Sequence, residues 1–189
     1  FDEFGDSVSI SGDTAVVGAY KDDVGANDGQ GSAWVFSRID LEFRVIGPGG
    51  ATGDFFGSAV SISGDTAVVG AREDDVSGNP NQGSAYVFVR SGTVWTQQAQ
   101  LTASDGAAFD EFGYSVSISG DTAVVGAYTD DVGANTTQGS AYVFVRSGTV
   151  WTQQAQFTAP DGAAFDEFGD SVSISGDTAV VGAYKDDVG

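Results

Sequence analysis

Residues 112–127 read Phe-Gly-Tyr-Ser-Val-Ser-Ile-Ser-Gly-Asp-Thr-Ala-Val-Val-Gly-Ala, and this stretch decides the fold. Residues 115–119 alternate apolar and hydroxyl side chains, the period of a β-strand with two different faces. Gly120-Asp121 is a dipeptide suited to a tight hairpin turn. The Ala-Val-Val segment that follows is almost continuously apolar, which is typical of a strand buried on both faces. The stretch therefore predicts a β-hairpin.

Self-comparison finds this hairpin four times along the chain. Successive copies are 52, 56 and 56 residues apart, a period typical of propeller blades and similar arrays. The glycine of each Phe-Gly pair is predicted to be structural: Gly5, Gly57, Gly113 and Gly169.

Two more strands complete each period. Residues 140–146 carry apolar or aromatic side chains on both faces, and residues 149–158 are rich in Gln and Thr, as expected of an outer edge strand. Such a four-stranded unit is stable only when copies stack face to face. The fold is predicted to be all-β, with tandem four-stranded antiparallel blades of a β-propeller that is incomplete within this chain. The predicted domains are 1–53 (blade 1, with an irregular fourth strand), 54–108 (blade 2), 109–164 (blade 3) and 165–189 (the first hairpin of a fourth blade).

The irregular part of blade 1 and the matching ends raise a question of assembly. Residues 39–53 replace the usual fourth strand, with an edge strand expected over 41–46. Residues 1–25 and 165–189 are identical. A closed propeller commonly needs at least four blades, so apolar blade faces are expected to be exposed. Either the chain is a window from a longer array, or separate chains complete each other by strand exchange and head-to-tail contact, which makes a filament where the contact does not close.

The charge balance restricts the partners. Lys and Arg total 7 against 27 Asp and Glu, a net charge of −20, which repels phosphate backbones and anionic membranes. Cys and His are absent, which excludes a zinc site and an imidazole base. No apolar run is long enough to span a bilayer. We therefore expect no nucleic-acid partner and no membrane insertion.

Paired acids recur in the loop between the second and third strands. With loop carbonyls and water they would bind calcium, which takes roughly six to eight oxygen ligands. In the alternative interpretation, the first Asp of each pair caps the turn by accepting backbone N–H bonds. The candidate calcium ligands are Asp22, Asp23, Asp28, Asp74, Asp75, Asp130, Asp131, Asp186 and Asp187.

A second acidic cluster precedes the Phe-Gly pairs. It reads Asp2-Glu3, Asp110-Glu111 and Asp166-Glu167, with Asp54-Phe55 in the second copy. Two carboxylates are the machinery of glycoside hydrolysis. An active site is normally one asymmetric constellation, whereas these acids recur from repeat to repeat. We therefore predict that the chain is not an enzyme and has no catalytic residue.

Several other positions are candidates for binding or modification. Arg38, Arg90 and Arg146 occupy one equivalent position at the end of the third strand. This placement favours a repeated structural ion pair with the acids before Phe-Gly, and a ligand-binding ring of arginines is the alternative. Trp95 and Trp151 are expected to pack at the rim or to stack on a sugar.

The long loop is also the tolerant region of the repeat. The copies at 57–108 and 113–164 differ at ten positions, six of them in this loop. One of the six is Arg72, whose equivalent in the next copy is Tyr128. Asn135-Thr136-Thr137 is the one N-glycosylation sequon of the chain, so glycosylation is predicted at Asn135.

A family resemblance rests on a second, fixed spacing. Each Phe-Gly pair is followed 13 residues later by Gly-Ala, at Gly18-Ala19, Gly70-Ala71, Gly126-Ala127 and Gly182-Ala183. The pattern resembles the FG-GAP repeat, the blade unit of integrin α-subunit propellers and of many bacterial surface proteins. The resemblance covers essentially the whole chain. It implies a propeller, an extracellular or cell-surface location, and a role in adhesion or surface architecture.

One departure from the family concerns calcium. Many FG-GAP blades carry alternating Asp residues between Phe-Gly and Gly-Ala, whereas residues 117–122 contain a single acid, Asp121. One carboxylate does not supply a calcium site, so the usual family site is absent here.

Two functions follow from these observations. The first is a non-catalytic extracellular structural or adhesive module, whose partners are other copies of itself or flanking repeats of a longer chain. The second is a propeller that binds an extracellular protein or glycan through its variable acidic loops. No cofactor is predicted apart from calcium in the loops.

Overall fold

The protein is described by a computed structural model of residues 3–37 and 42–186. Those residues contain no helix, and therefore none that could cross a membrane. The strands are β1 (Phe4–Ser11), β2 (Thr14–Ala19), β3 (Ser32–Ser37), β4 (Glu42–Val45), β5 (Phe56–Ser63), β6 (Thr66–Ala71), β7 (Ser84–Ser91), β8 (Val94–Leu101), β9 (Ser115–Ser119), β10 (Thr122–Ala127), β11 (Ser140–Ser147), β12 (Val150–Phe157), β13 (Phe168–Ser175) and β14 (Thr178–Ala183).

The strands form three four-stranded antiparallel sheets and one two-stranded sheet. Their orders are β1-β2-β3-β4, β5-β6-β7-β8, β9-β10-β11-β12 and β13-β14. We call them blades 1 to 3 and the fourth hairpin. This arrangement confirms the predicted fold class of tandem blades in an incomplete propeller. The edge strand expected over 41–46 is present as β4.

Burial follows the sequence pattern of each strand. All six residues of β6 are buried, because both faces of this second strand carry apolar side chains. Over residues 150–156 of β12 exposed and half-buried residues alternate, since its Gln- and Thr-rich sequence forms the outer edge of the blade.

The hydrophobic cores lie between blades. Val16 and Val35 of blade 1 share one cluster with Val60 and Ile62 of blade 2. A second cluster joins blades 2 and 3 in the same way. Each central blade therefore has a leading face, which packs on the blade before it, and a trailing face, which receives the blade after it. Neither face would be buried in an isolated blade.

The Phe of each Phe-Gly pair anchors the leading face. Phe56 is almost fully buried, and its ring lies 5.5 Å from the ring of Tyr86 and 6.0 Å from that of Phe88. The contact with Phe88 is edge-to-face, and aromatic contacts of this kind add to the free energy gained from burial.

The glycines of the two motifs bring neighbouring backbones into contact. A methyl group at Gly70 would lie 2.0 Å from the carbonyl oxygen of Gly113. The same 2.0 Å approach joins Gly18 to Gly57 and Gly126 to Gly169. Gly57 also has a φ of +93°, and a methyl group there would lie 2.3 Å from the carbonyl oxygen of Ser32. Phe-Gly of one blade therefore packs on Gly-Ala of the preceding blade, and a side chain at either position would separate them.

Serine hydroxyls join the first strands of successive blades. The Ile62 N–H donates to Ser9 Oγ at 3.2 Å, and the Ile118 N–H donates to Ser61 Oγ at 3.1 Å. The Ile174 N–H donates to Ser117 Oγ at 3.1 Å. The hydroxyl face of the first strand thus satisfies backbone donors of the next blade that would otherwise lack partners.

We predict that Gly70→Ala lowers the free energy of unfolding by about 3 kcal/mol, because the added methyl group meets a backbone atom that cannot rotate away. Urea denaturation followed by tryptophan fluorescence measures the change. Gly182→Ala is the matched control, since a methyl group there meets the Ser171 hydroxyl, a side chain that can rotate. It should change stability by less than about 0.5 kcal/mol. Equal effects of the two substitutions would contradict the contact between Phe-Gly and Gly-Ala.

Candidate functional site

The paired acids of the long loops accept hydrogen bonds from their own blade. Asp74 Oδ2 accepts from the Tyr86 hydroxyl at 2.8 Å and from Gln100 Nε2 at 3.1 Å. The second acid of the pair, Asp75, accepts the backbone N–H of Asn81 at 2.9 Å. The first Asp therefore joins the loop to the third and fourth strands, and the second closes the loop.

The same arrangement recurs in the other complete blades. Asp130 Oδ2 accepts from the Tyr142 hydroxyl at 3.0 Å, and Asp131 Oδ1 accepts from the Thr137 N–H at 2.8 Å. In blade 1, Asp22 forms an ion pair with Arg44 at 2.5 Å. Asp23 accepts the N–H of Gly29 at 2.9 Å.

The paired acids predicted to bind calcium are thus already engaged in hydrogen bonds within the protein. Within 3–37 and 42–186 no three acidic side chains converge on a common point that could hold a metal ion. The carboxylates of Asp23, Asp75 and Asp131 accept backbone N–H groups of their own loops, as the alternative interpretation requires. The accepting residue is the second Asp of each pair, whereas the first was expected. Asp187 lies outside the described residues, and Asp186 is exposed. Calcium binding stays a prediction, and it would require the paired acids to exchange these hydrogen bonds for metal bonds.

An Asn–Gln pair was missed by sequence reasoning. Asn135 Nδ2 donates to Gln138 Oε1 at 2.8 Å and to the Gly162 carbonyl at 3.0 Å. Asn27 and Asn79 make the equivalent bonds in their loops. The available signal was the constant Asn-x-x-Gln spacing inside an otherwise variable loop.

The Asn135–Gln138 pair includes the asparagine of the predicted glycosylation site. An N-linked glycan on Asn135 would replace one of the two N–H groups that the side chain donates. Glycosylation at Asn135 stays a prediction that intact mass can test, and it carries the cost of one lost hydrogen bond.

The repeated arginines form ion pairs with a partner other than the expected one. Arg90 contacts Asp65 at 2.5 Å and donates to Thr14 Oγ1 of the preceding blade at 3.0 Å. Arg146 contacts Asp121 and Thr66 in the same way. The acid thus belongs to the Gly-Asp hairpin turn and not to the cluster before Phe-Gly, because that turn lies at the end of the sheet where the third strand finishes. Arg38 lies outside the described residues.

The two tryptophans pack beside these arginines. The Arg90 guanidinium lies 5.7 Å from the centre of the buried Trp95 ring, and that of Arg146 lies 5.3 Å from the half-buried Trp151 ring. Trp151 also donates its Nε1–H to Gln98 of blade 2 at 2.9 Å. Both rings therefore take part in packing, the first of the two roles expected for them.

The acids before Phe-Gly occupy two different environments. Asp54 and Asp110 are buried, and each accepts the backbone N–H of the residue three positions earlier at 2.5 Å. The pKa of both carboxyls is raised to about 6, chiefly by burial; the backbone hydrogen bond opposes this rise and neighbouring acids add to it. In contrast, the half-exposed Glu3 forms an ion pair with Lys21 at 2.6 Å, and hydrogen bonds from Lys21 and Tyr20 lower its pKa. Asp2 lies outside the described residues.

One cavity breaks the symmetry of the repeat. It has a volume of about 190 Å³ and lies between blades 1, 2 and 3, lined by Asp6, Tyr20, Ser58, Arg72 and Tyr114. Arg72 occupies the position after Gly-Ala where the other three copies have Tyr. We call this space the Arg72 cavity. Sequence comparison located the Arg72/Tyr128 difference but did not predict the cavity, since its walls come from three blades.

The Arg72 guanidinium is surrounded by aromatic rings. Its central carbon lies 5.4 Å from the ring centre of Phe55, 5.6 Å from that of Tyr114 and 5.8 Å from that of Tyr20. Glu73 lies 3.6 Å away as an ion-pair partner. The Nε of Arg72 and the hydroxyl of Ser58 are buried and have no hydrogen-bond partner among the described residues. These two atoms lie inside the protein beside the cavity and make no hydrogen bond in the part of the chain that the structure describes.

Comparison with known proteins identifies the family. The FG-GAP repeat model matches residues 1–36, 42–88, 95–144 and 151–189. The chain belongs to the FG-GAP repeat family. Repeats of this family are generally non-catalytic, and they are typical of extracellular or surface proteins and often bind ligands. No curated protein matches the chain.

The matched FG-GAP segments are offset from the blades. The segment at 42–88 begins with β4 of blade 1 and continues through β5, β6 and most of β7 of blade 2. The family repeat thus includes the junction between two blades, where the Phe-Gly and Gly-Ala pairs meet.

We predict that the protein is more stable at pH 4.5 than at pH 7.5. The folded-state pKa of Asp54 and Asp110, about 6, lies above the ordinary value of 3.8. The folded state therefore keeps protons that the unfolded state loses, so this stabilisation is complete below about pH 4 and is lost as the pH rises through 6. Scanning calorimetry should show a Tm higher by on the order of 5 °C at the lower pH.

The double variant Asp54→Asn/Asp110→Asn isolates the two buried carboxyls from the overall charge of −20. It should reduce the pH dependence of Tm, because an amide side chain does not titrate in this range. The variant should still fold, because the amide oxygen can accept the same backbone N–H. Asp161→Asn, at an exposed position, is the control and should leave the dependence unchanged. An unchanged slope in the double variant would contradict the assignment.

Proposed function

We propose that this FG-GAP chain is a non-catalytic extracellular structural and adhesive module whose blades bind further blades of the same type, head to tail. The observation that carries the proposal is the exposure of two apolar surfaces that are buried at every internal junction. These are the leading face of blade 1 and the trailing face of the fourth hairpin.

The leading face of blade 1 is formed by Phe4, Val8 and Ile10. Ile10 is 74% exposed, whereas the equivalent Ile62 of blade 2 is 6% exposed. The difference arises because Ile62 packs on the trailing face of blade 1. Burying the equivalent surface of blade 1 would be favourable in water for the same reason that it is inside the chain.

The trailing face of the fourth hairpin is formed around Val180. This side chain is 65% exposed, while the equivalent Val68 and Val124 are fully buried. Leading and trailing faces already pack on each other at three junctions within the chain. The exposed pair is therefore complementary, and the contact is heterologous, so that it extends an array and does not stop at a dimer.

A groove beside the fourth hairpin would also accommodate part of a further blade. It has a volume of about 340 Å³ and its lining includes Val143 and Phe157 of blade 3. Phe157 is 44% exposed, whereas the equivalent Leu101 is 3% exposed beneath blade 3. The fourth hairpin covers the inner half of this trailing face, so the third and fourth strands of another blade would fill the groove.

The test is light scattering coupled to size-exclusion chromatography over a range of concentrations. We expect the chain to self-associate, and Ile10→Asp and Val180→Asp each to prevent growth, because a buried unpaired carboxylate is costly. Val150→Asp is the matched control, since Val150 is also exposed but lies at the rim.

A mixture of the two variants makes the test directional. The Ile10→Asp chain keeps its trailing face and the Val180→Asp chain keeps its leading face, so the mixture should form dimers that cannot grow. A wild-type chain that stays monomeric at every concentration, or a variant that associates as the wild type does, would refute the head-to-tail proposal.

Ligand binding is the second candidate function, and the Arg72 cavity is the observation that favours it. Repeated residues maintain the blades, whereas Arg72 departs from the Tyr of the other three copies and lines a cavity with residues of three blades.

A further inference from the structure

The groove beside the fourth hairpin contains the same acid and hydroxyl that hold an arginine in blades 2 and 3. Arg90 contacts Asp65 of its own blade at 2.5 Å and donates to Thr14 of the preceding blade at 3.0 Å. The equivalent arginine of blade 3 makes the same two contacts. At the next junction the equivalent acid and hydroxyl are those of Asp177 and Thr122, and both residues line the groove. The groove therefore offers an acceptor pair for an arginine side chain.

A glutamine in the same groove is equivalent to one that accepts an indole N–H. Trp151 of blade 3 donates its Nε1–H to Gln98 of blade 2 at 2.9 Å. Gln154 occupies the position of Gln98 in blade 3, where it is exposed and lines the groove. Its amide oxygen can accept an indole N–H in the same way. The segment that carries both the arginine and the tryptophan reads Arg-Ser-Gly-Thr-Val-Trp in blades 2 and 3.

The outer edge of β14 supplies backbone groups for one more strand. β6 and β10 have the same sequence as β14, and each of them pairs with the first and the third strand of its blade. Among the residues that the structure describes, β14 pairs with β13 alone. The N–H and C=O groups along such an edge form a template for an added strand. In blade 3 the Arg146 N–H donates to the Asp121 carbonyl at 2.8 Å, so strand pairing also brings the arginine to its acid.

The apolar wall of the groove suits aromatic side chains. Phe157 of β12 is exposed there, whereas the equivalent Leu101 is buried in one cluster with Tyr142 and Phe144 of the next blade. Those two aromatic residues belong to a third strand, β11. An added strand of the same type would therefore cover Phe157 as β11 covers Leu101.

We propose that the open edge of β14 and the groove beside it capture a β-hairpin of another FG-GAP chain, and that they select hairpins with the segment Arg-Ser-Gly-x-x-Trp. The arginine lies between Asp177 and Thr122, the indole N–H donates to Gln154, and the backbone pairs with β14. The inference rests on the proposed function, since it takes further FG-GAP repeats as the partners, and it adds what such a partner must contain.

The test uses a synthetic peptide of residues 139–158, which contains β11 and β12, and the Ile10→Asp chain, whose growth is expected to be blocked. Titration calorimetry should show a one-to-one complex with a micromolar Kd. Hydrogen exchange should slow at the amides of residues 178–183, because β14 gains a second neighbouring strand. Exchange in β4, the outer edge of blade 1, should stay unchanged.

Charge reversal tests the arginine contact. Asp177→Arg should weaken binding of the peptide at least about tenfold, because two guanidinium groups repel each other. A peptide with Arg146→Asp should recover most of that loss. Asp161→Arg is the matched control: it changes the net charge equally, lies at an exposed position outside the groove and should leave the Kd unchanged.

Two altered peptides test the selection of the tryptophan. The Trp151→Phe peptide keeps an aromatic ring but lacks the N–H donor, so it should bind several-fold more weakly. A peptide of residues 31–46 contains the third strand of blade 1 and Arg38, but no tryptophan follows that arginine. It should also bind several-fold more weakly than the peptide of residues 139–158.

Three results would overturn hairpin capture: no binding of the peptide of residues 139–158, equal binding of the two hairpin peptides, or a Kd that Asp177→Arg leaves unchanged. Growth of the wild-type chain is measured separately by light scattering. Growth without peptide binding therefore refutes hairpin capture alone, and peptide binding without growth refutes the head-to-tail proposal alone.

Discussion

The carbonyl oxygen of Gly113 occupies the space that a side chain on Gly70 would need, and the same approach recurs at the other two junctions of the chain. This backbone contact sets the distance between blades. It brings the first strands close enough for serine hydroxyls to accept N–H bonds from the next blade. It also places the Phe of each Phe-Gly pair in the core beneath. Because a blade buries its apolar faces only at these junctions, the stability of the chain depends on this close glycine contact.

The acidic side chains have mostly local tasks. Asp75 and Asp131 accept backbone N–H bonds within their loops, and Asp65 and Asp121 hold the arginines at the other end of the sheet. Each of these carboxylates replaces water with a donor of the protein, so the high charge is compatible with folding. Asp54 and Asp110 differ because they are buried. Their pKa is raised because burial disfavours the charged carboxylate.

Residues that recur in every blade have a different role from Arg72, which occurs in one blade only. Those that recur at equivalent positions, such as the glycines, the serines and the Asn–Gln pairs, maintain the stack. Arg72 interrupts the pattern and lines a cavity, and its Nε and the Ser58 hydroxyl are buried without a hydrogen-bond partner among the described residues. The repeated contacts and the Arg72 cavity therefore use different parts of the blade.

The sequence by itself determined the hairpins, the four strands of each blade, the propeller class and the family. These features depend on the two-residue alternation of a strand and on a period of 52 to 56 residues, both of which are visible without coordinates. It also located the glycines and the repeated arginines, but it assigned the arginines to the wrong acids. Only the tertiary structure decided that Arg90 pairs with Asp65 and contacts Thr14, that Asn135 bonds to Gly162, and that residues of three blades line the Arg72 cavity. The reason is that contacts between blades depend on how one sheet is rotated and shifted against the next, and no local pattern within a strand encodes that geometry.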